Sequence, residues 1–195
     1  GCFSAIAGTV NPLPALVNGS GGGAYCSGGS GVHVGLSSSV TGFSYQLVLN
    51  GVTTIGTPMA GTNSPLDFGL ITTAGTYTII ATNNATGCSV TMTGIALVSI
   101  NALPTVFTVT GGGSYCAGGT GVTIGLSNST AGISYQLYYG AIVSGSPVAG
   151  TGSAISFGLR TIPGSYTVVA TNTVTGCVSN MTGIASVSIN SLPNV

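Results

Sequence analysis

Cysteine is the reactive residue that recurs in this chain at a fixed spacing. Five cysteines occur in the 195 residues; Cys26 and Cys116 lie 90 positions apart, and Cys88 and Cys177 lie 89 apart, which leaves Cys2 unmatched. Such recurrence predicts a disulfide framework and an oxidising, extracellular environment. A zinc site is not indicated, because no C-x-x-C pair occurs.

Two disulfide patterns respect this spacing. In the first, Cys26 pairs with Cys88 and Cys116 with Cys177, and Cys2 pairs outside the fragment. In the second, Cys2 pairs with Cys26 and Cys88 with Cys116, while Cys177 pairs with a cysteine of a following repeat. We favour the first pattern because it lets each repeat fold alone.

The residues that could perform acid–base catalysis are too few for an active site. His33 is the only candidate for a general base and Asp67 the only carboxylate. At the equivalent positions 90 and 89 residues later the chain has Thr123 and Ser156. A catalytic dyad or a calcium site needs clustered groups of these types. We therefore expect no enzyme activity, no metal ion and no cofactor.

Two tyrosines and four asparagines are candidates for structural or modification sites. Tyr77 and Tyr166 each follow a turn before a predicted strand, where a sandwich fold places a tyrosine corner; simple core packing is the alternative. Sequons for N-glycosylation occur at four asparagines, which would be surface sites: Asn18, Asn84, Asn128 and Asn180.

Charge is almost absent from the chain. Charged residues make up 1% of it, against about a quarter in an ordinary domain. Nucleic-acid binding is excluded, because phosphate neutralisation needs several Lys or Arg. No apolar run reaches the roughly 18 residues of a spanning helix, so we expect no membrane insertion. A net charge near zero favours self-association, which makes neighbouring copies the expected partners.

An internal repeat of about 90 residues shows which elements position these residues. Gly21-Gly-Gly-Ala-Tyr-Cys26 returns as Gly111-Gly-Gly-Ser-Tyr-Cys116, and Ser44-Tyr-Gln-Leu47 returns as Ser134-Tyr-Gln-Leu137. Leu-Pro pairs close each copy, which predicts repeats at 15–104 and 105–195. Residues 1–14 are then the last strand of a preceding repeat, or a strand donated to a neighbour.

Hydrophobic residues alternate with a period of two throughout each copy, which indicates strands rather than helices. The sets of residues predicted to share one face of a strand are Val32, Val34 and Leu36, then Leu66, Phe68 and Leu70, with Val122, Ile124 and Leu126, then Ile155, Phe157 and Leu159, in the second copy. Six or seven strands between Gly, Asn, Ser or Pro turns predict an all-β fold of tandem immunoglobulin-like Greek-key β-sandwiches.

These motifs together resemble the immunoglobulin-like repeats of large secreted surface proteins of Bacteroidota. Gly-Ser-Tyr166-Thr-Val-Val-Ala-Thr-Asn and Thr-Gly-Cys177 add to the glycine, tyrosine and cysteine motifs above. The resemblance covers essentially the whole chain. It implies export by the type IX route and a fibrous or adhesive role at the cell surface.

The predicted function is therefore a structural repeat of an extracellular fibre, stalk or adhesin, self-associating and without catalysis. The alternative is a carbohydrate- or surface-binding module, with Tyr138 and Tyr139 beside Gln136 as a platform for surface glycans. Against it, the first copy has Val48 and Leu49 where the tyrosines stand.

Overall fold

The computed structural model describes residues 13–193, and the regular elements within that range are all β-strands. The chain divides into two compact units, Gly1–Asn101 and Ala102–Val195. The division lies three residues before the sequence-based boundary at 104. Of the predicted terminal strand 1–14, residues 1–12 lie outside the described range.

Residues 13–101 of the first unit form nine strands. They are β1 (Gly19–Gly21), β2 (Gly23–Cys26), β3 (Val32–Leu36), β4 (Phe43–Leu49), β5 (Thr53–Ala60), β6 (Leu66–Ile71), β7 (Gly75–Asn83), β8 (Ser89–Thr91) and β9 (Ala96–Asn101). One sheet has the order β1-β3-β6, and the other has the order β2-β9-β7-β4-β5, with β8 paired to β7. Pairing is antiparallel except between β2 and β9.

The second unit repeats this order. Its strands are β10 (Val109–Gly111), β11 (Gly113–Cys116), β12 (Val122–Leu126), β13 (Ile133–Tyr139), β14 (Ile142–Val143), β15 (Val148–Ala149), β16 (Ile155–Arg160), β17 (Gly164–Asn172), β18 (Val178–Asn180) and β19 (Ala185–Asn190). The sheets are β10-β12-β16 and β11-β19-β17-β13-β14, with β15 on β13 and β18 on β17. Here β14 and β15 replace the single long edge strand β5 of the first unit.

Each unit is an immunoglobulin-like β-sandwich with its own core between the two sheets. In the first unit Val34 and Leu36 of the small sheet share a cluster with Tyr45, Leu47 and Tyr77 of the large sheet. The second unit has an equivalent cluster of its own. The two sheets thus bury the apolar sides predicted by the alternation.

The structure has more strand segments than the sequence predicts, because two strands of each sandwich are interrupted. The first strand changes sheets, which divides it into β1 and β2 in one unit and into β10 and β11 in the other. The last strand divides into β8 and β9, both paired with β7, and likewise into β18 and β19 on β17.

The glycine runs make the change of sheet sterically feasible. Gly21 and Gly22 have φ of 84° and 80°, a region that favours glycine. A Cβ on Gly21 would lie 2.1 Å from the His33 carbonyl oxygen, and one on Gly22 would lie 2.8 Å from that of Leu97. The backbone of the crossing therefore lies directly on both sheets. Gly111 and Gly112 repeat the geometry.

One predicted strand face is wrong in both units. Leu70 and Leu159 are half-exposed, at 50% and 53%. The glycine before each set's last residue, Gly69 or Gly158, has a φ of 85° or 81°. This left-handed residue interrupts the alternation, so that Ile71, at 8% exposure, takes the inward place in the first unit.

Candidate functional site

The two cysteines of a unit lie at opposite ends of its sandwich. Cys26 ends β2 and lies opposite Asn101 of β9 in the sheet. β9 runs antiparallel to β7 and places Val98 opposite Gly75, the first residue of β7. Asn101 and Cys26 therefore lie three residue positions beyond the start of β7. Cys88 lies at the other end of β7, where its carbonyl accepts the Asn83 N–H at 2.8 Å. The strand register separates the cysteines by about 36 Å at roughly 3.3 Å per residue. A disulfide needs Cα atoms within about 7 Å.

The structure corrects the predicted disulfides. Cys26, Cys88 and Cys177 are disulfide-bonded, whereas Cys116 is an exposed free thiol. The favoured pairing of Cys26 with Cys88 is wrong because the strand register separates them, and the pairing of Cys116 with Cys177 is wrong because Cys116 is unbonded. The free thiol also contradicts the alternative bond between Cys88 and Cys116. The pairing predicted for Cys2 lies outside the described residues.

Tyr77 and Tyr166 have the geometry of a tyrosine corner. The Tyr77 hydroxyl donates to the Thr73 carbonyl at 2.8 Å, and the Tyr166 hydroxyl donates to that of Ile162 at 2.9 Å. Both side chains are almost completely buried. Burial raises the pKa of each phenol above its ordinary value, because the low-dielectric core disfavours the phenolate.

A second buried tyrosine in each unit fixes the turn before its own strand. The Tyr45 hydroxyl accepts the Val40 N–H at 2.9 Å, and the Tyr135 hydroxyl accepts the Thr130 N–H at 2.9 Å. In the sequence these tyrosines were recognised only as part of a repeated motif, without a role. The available signal was their recurrence within Ser-Tyr-Gln-Leu, since a repeated tyrosine in place of phenylalanine indicates that the hydroxyl has a partner.

A third tyrosine in each unit ties the edge of the large sheet to the opposite loop. The Tyr25 hydroxyl donates to the Thr72 carbonyl, and the Tyr115 hydroxyl donates to the Thr161 carbonyl. Each of these tyrosines precedes the end-of-strand cysteine. The position of Cys26 and Cys116 is therefore fixed by a side-chain hydrogen bond as well as by the sheet.

A buried serine joins two loops in each unit. Ser39 donates to the Ser64 carbonyl at 2.6 Å and accepts the Thr62 N–H at 3.0 Å. Ser129 makes the same two bonds at 2.6 and 2.9 Å in the second unit. This serine was not predicted to have a role, although it also recurs at a spacing of 90 residues.

His33 and Asp67 meet at the surface of the first unit. The His33 Nδ1 lies 2.7 Å from an Asp67 carboxylate oxygen, and both side chains are more than half exposed. They line a cavity of about 260 Å³ together with Ser20. Among residues 13–193, no group of three His, Cys, Asp or Glu side chains is placed to hold a metal ion. An exposed pair of this kind contributes about 0–1 kcal/mol to stability.

The predicted aromatic platform does not form. Tyr138 and Tyr139 are consecutive in β13, so their side chains project to opposite faces of the sheet. Tyr139 packs on Tyr166 with ring centroids 5.3 Å apart and donates to the Pro163 carbonyl at 3.1 Å. The Gln136 amide donates to backbone carbonyls at 2.9 and 3.0 Å, which ties the edge of the sheet.

The four sequon asparagines all lie at the surface. Asn18 and Asn84 accept hydrogen bonds from the Thr93 and Ser44 hydroxyls, both at 2.6 Å. Asn128 lies after β12, and Asn180 ends β18. Their glycosylation stays a prediction. The described residues contain no helix that is long and apolar enough to cross a membrane.

Apolar side chains are exposed at equivalent places in the two units. Ile95 and Ile184, which directly precede the last strands, are 68% and 62% exposed. Leu16 and Val106, 90 residues apart, are 59% and 47% exposed. On a surface almost without charge, no electrostatic repulsion opposes contact between such side chains of different copies.

No protein-family model matches this chain, and no curated protein matches it. Its fold is similar to a Ca²⁺-stabilized adhesin that helps an Antarctic bacterium bind ice, with a TM-score of 0.49 and 16% identity over 92% of this chain. The chain spans half of that structure.

Two further structures with a similar fold come from a bacterium and from the mouse. The fibronectin(III)-like modules of Clostridium thermocellum CbhA give a TM-score of 0.42 at 11% identity, over 86% of this chain and 90% of theirs. Murine CEACAM1b gives 0.39 at 14% identity, over 90% and 99%. Similarity at this level concerns the β-sandwich architecture and carries no argument about function.

Proposed function

We propose that this chain is a structural segment of an extracellular fibre, stalk or adhesin at the cell surface, built from self-associating, non-catalytic sandwich units. The observation that carries the proposal is the repetition of a complete unit. Each sandwich has its own core and the same three tyrosine hydrogen bonds and serine bond. A unit that folds by itself can be added in series without disturbing its neighbours.

The composition supports an extracellular role. Three disulfide-bonded cysteines suit an oxidising environment. Internal support comes from neutral hydrogen bonds of tyrosine, serine and backbone, which salt does not screen. These properties suit a protein that keeps its shape in variable surroundings, in line with the resemblance to secreted surface repeats.

Self-association is the property to test first. We expect filaments or large oligomers of the native, unreduced protein in negative-stain electron microscopy and sedimentation velocity, at high as well as low salt. Monomers at every concentration would contradict the self-association.

The exposed isoleucines provide a specific test. Ile95→Lys together with Ile184→Lys adds two positive charges at equivalent apolar positions and should shift assembly to higher protein concentration. The matched control is Val52→Lys with Val174→Lys, since these residues are 84% and 90% exposed in turns. Equal effects of the two pairs would show that net charge alone, and not the isoleucine surface, governs assembly.

A further inference from the structure

Asn50 and Gly51 form the tip of the hairpin between β4 and β5. The Val52 N–H donates to the Leu49 carbonyl at 3.1 Å, which closes the turn. Asn50 and Gly51 have φ of 52° and 71°, as in a type I′ turn, and both residues are exposed. In an Asn-Gly pair the backbone nitrogen can attack the side-chain amide, because glycine has no side chain to hinder the approach.

The hydrogen bonds of this turn leave the attacking nitrogen unengaged and hold the amide in place. The Gly51 N–H makes no hydrogen bond within residues 13–193, and a Cβ on Gly51 would meet nothing within 4 Å. The Asn50 Oδ1 accepts the Thr76 N–H at 3.0 Å. Negative charge develops on this oxygen when a nitrogen adds to Cγ, and a donor already directed at the oxygen stabilises that charge.

The other Asn-Gly pair of the sequence, Asn18 with Gly19, is held differently. The Gly19 N–H donates to the Thr93 carbonyl at 2.7 Å, and the Asn18 Oδ1 accepts from the Thr93 hydroxyl at 2.6 Å. Attack at this pair must first break the backbone hydrogen bond of Gly19, whereas Gly51 has no such bond to break. The second unit has Gly140 at the position of Asn50. The hydrogen bonds therefore distinguish one asparagine.

We propose that Asn50 is a site of spontaneous deamidation in the folded protein and that Asn18 is protected from it. The Gly51 nitrogen forms a bond to the Asn50 Cγ, the bond from Cγ to the side-chain nitrogen breaks, and ammonia leaves with the proton of the Gly51 N–H. Water then opens the succinimide, at Cγ to give aspartate or at the α-carbonyl to give isoaspartate. The site goes beyond the proposed function, because it belongs to one hairpin, whether or not copies assemble.

The product carries a charge of a kind that this chain almost lacks. Asp67 is the only acidic side chain of the sequence, and the formal net charge is zero. One new carboxylate at Asn50 doubles the number of acidic side chains and makes the net charge negative. Isoelectric focusing should therefore separate modified from unmodified chains, with Asn50→Asp as the marker for the aspartate product.

The test is incubation of the whole native protein in mildly alkaline buffer, which favours deprotonation of the Gly51 nitrogen. We expect an acidic species to accumulate that focuses close to Asn50→Asp. Peptide mapping with chymotrypsin should place the amide-to-acid mass change at Asn50, formed about fivefold faster than at Asn18, the factor that corresponds to one backbone hydrogen bond. In urea, where both sets of hydrogen bonds are lost, the two sites should react at similar rates.

Asn50→Ser should abolish the acidic species that forms first, and Asn18→Ser, the matched control, should leave it unchanged. Mapping of the unsubstituted chain decides the question if either variant fails to fold. An Asn50 that stays intact in the folded protein but reacts in urea would overturn the proposal, as would equal rates at Asn50 and Asn18 in the folded protein.

Discussion

At the level of single residues, tyrosine hydroxyls make the specific long-range contacts that ion pairs make in ordinary domains. With one Arg and one Asp in the chain, specific long-range contacts must come from neutral groups. Three tyrosine hydroxyls that recur in both units bind backbone groups of turns and loops, and a buried serine joins two more loops. Buried hydroxyls with partners fix one arrangement of the loops, because a misplaced loop would leave a polar group unsatisfied.

Tyr166→Phe should destabilise the second unit by about 0.5–1.5 kcal/mol, because the hydrogen bond from the buried phenol to the Ile162 carbonyl is lost. Urea unfolding followed by tyrosine fluorescence measures the change. Tyr138→Phe is the matched control, since the Tyr138 hydroxyl makes no hydrogen bond within residues 13–193, and it should shift stability by less than about 0.5 kcal/mol. Equal losses would show that the corner bond contributes nothing specific.

Sequence reasoning located some of these residues and not others. The turn before Tyr77 and Tyr166 has a recognisable pattern, so their position could be predicted. The acceptor or donor of a buried hydroxyl lies on another loop, as with Ser39 and Ser64, 25 residues apart. Local sequence patterns do not show which residues of separate loops come into contact in the folded chain.

Backbone geometry decides the arrangement of the strands. The change of sheet at Gly21–Gly23 and the left-handed Gly69 both alter which side chains face inward, and period-two alternation cannot show either one. The long edge strand β5 contains Gly56 at a φ of 65° and Pro58, which interrupt the regular hydrogen-bonding edge. Such interruptions oppose uncontrolled strand pairing between copies.

Gly111→Ala should destabilise the second unit far more than Gly118→Ala does. Both glycines have positive φ, 84° and 80°, so each alanine incurs the conformational cost of roughly 1–2 kcal/mol. A Cβ at Gly111 would also lie 2.1 Å from the Thr123 oxygen, whereas a Cβ at Gly118 meets nothing within 4 Å. Calorimetry of the two variants measures the difference, and similar melting temperatures would contradict the close contact at the sheet crossing.

The repeat made the division into two similar sandwiches predictable, although the cysteines did not follow it in the predicted way. Spacing shows that two cysteines belong to one unit, but it does not show that they lie at opposite ends of the sandwich. That fact depends on the parallel pairing of β2 with β9, a long-range contact. The disulfide partners therefore could not be predicted without the strand register.

The stability of the whole molecule should be nearly constant from pH 5 to 9 and fall above pH 10. The pKa of Tyr77 and of Tyr166 is raised above the ordinary 10.0 in the folded state, so the unfolded chain loses these protons first as pH rises. Their contribution is complete below pH 10 and is lost as the solution becomes more alkaline.

Urea titrations at several pH values, with the free thiol alkylated, measure this profile. Tyr77→Phe with Tyr166→Phe should flatten the alkaline fall. A drop of more than about 2 kcal/mol between pH 5 and 9 would contradict the expectation, because the exposed His33–Asp67 pair contributes only about 0–1 kcal/mol.

Arg160 determines where trypsin can cut this sequence. Its guanidinium is hydrogen-bonded to Ser144 and to the Leu159 carbonyl, and it is the only Lys or Arg in the sequence. Within residues 1–195 trypsin can therefore cut at one place only, after Arg160. Peptide mapping of this region consequently needs a second protease whose specificity does not depend on Lys or Arg.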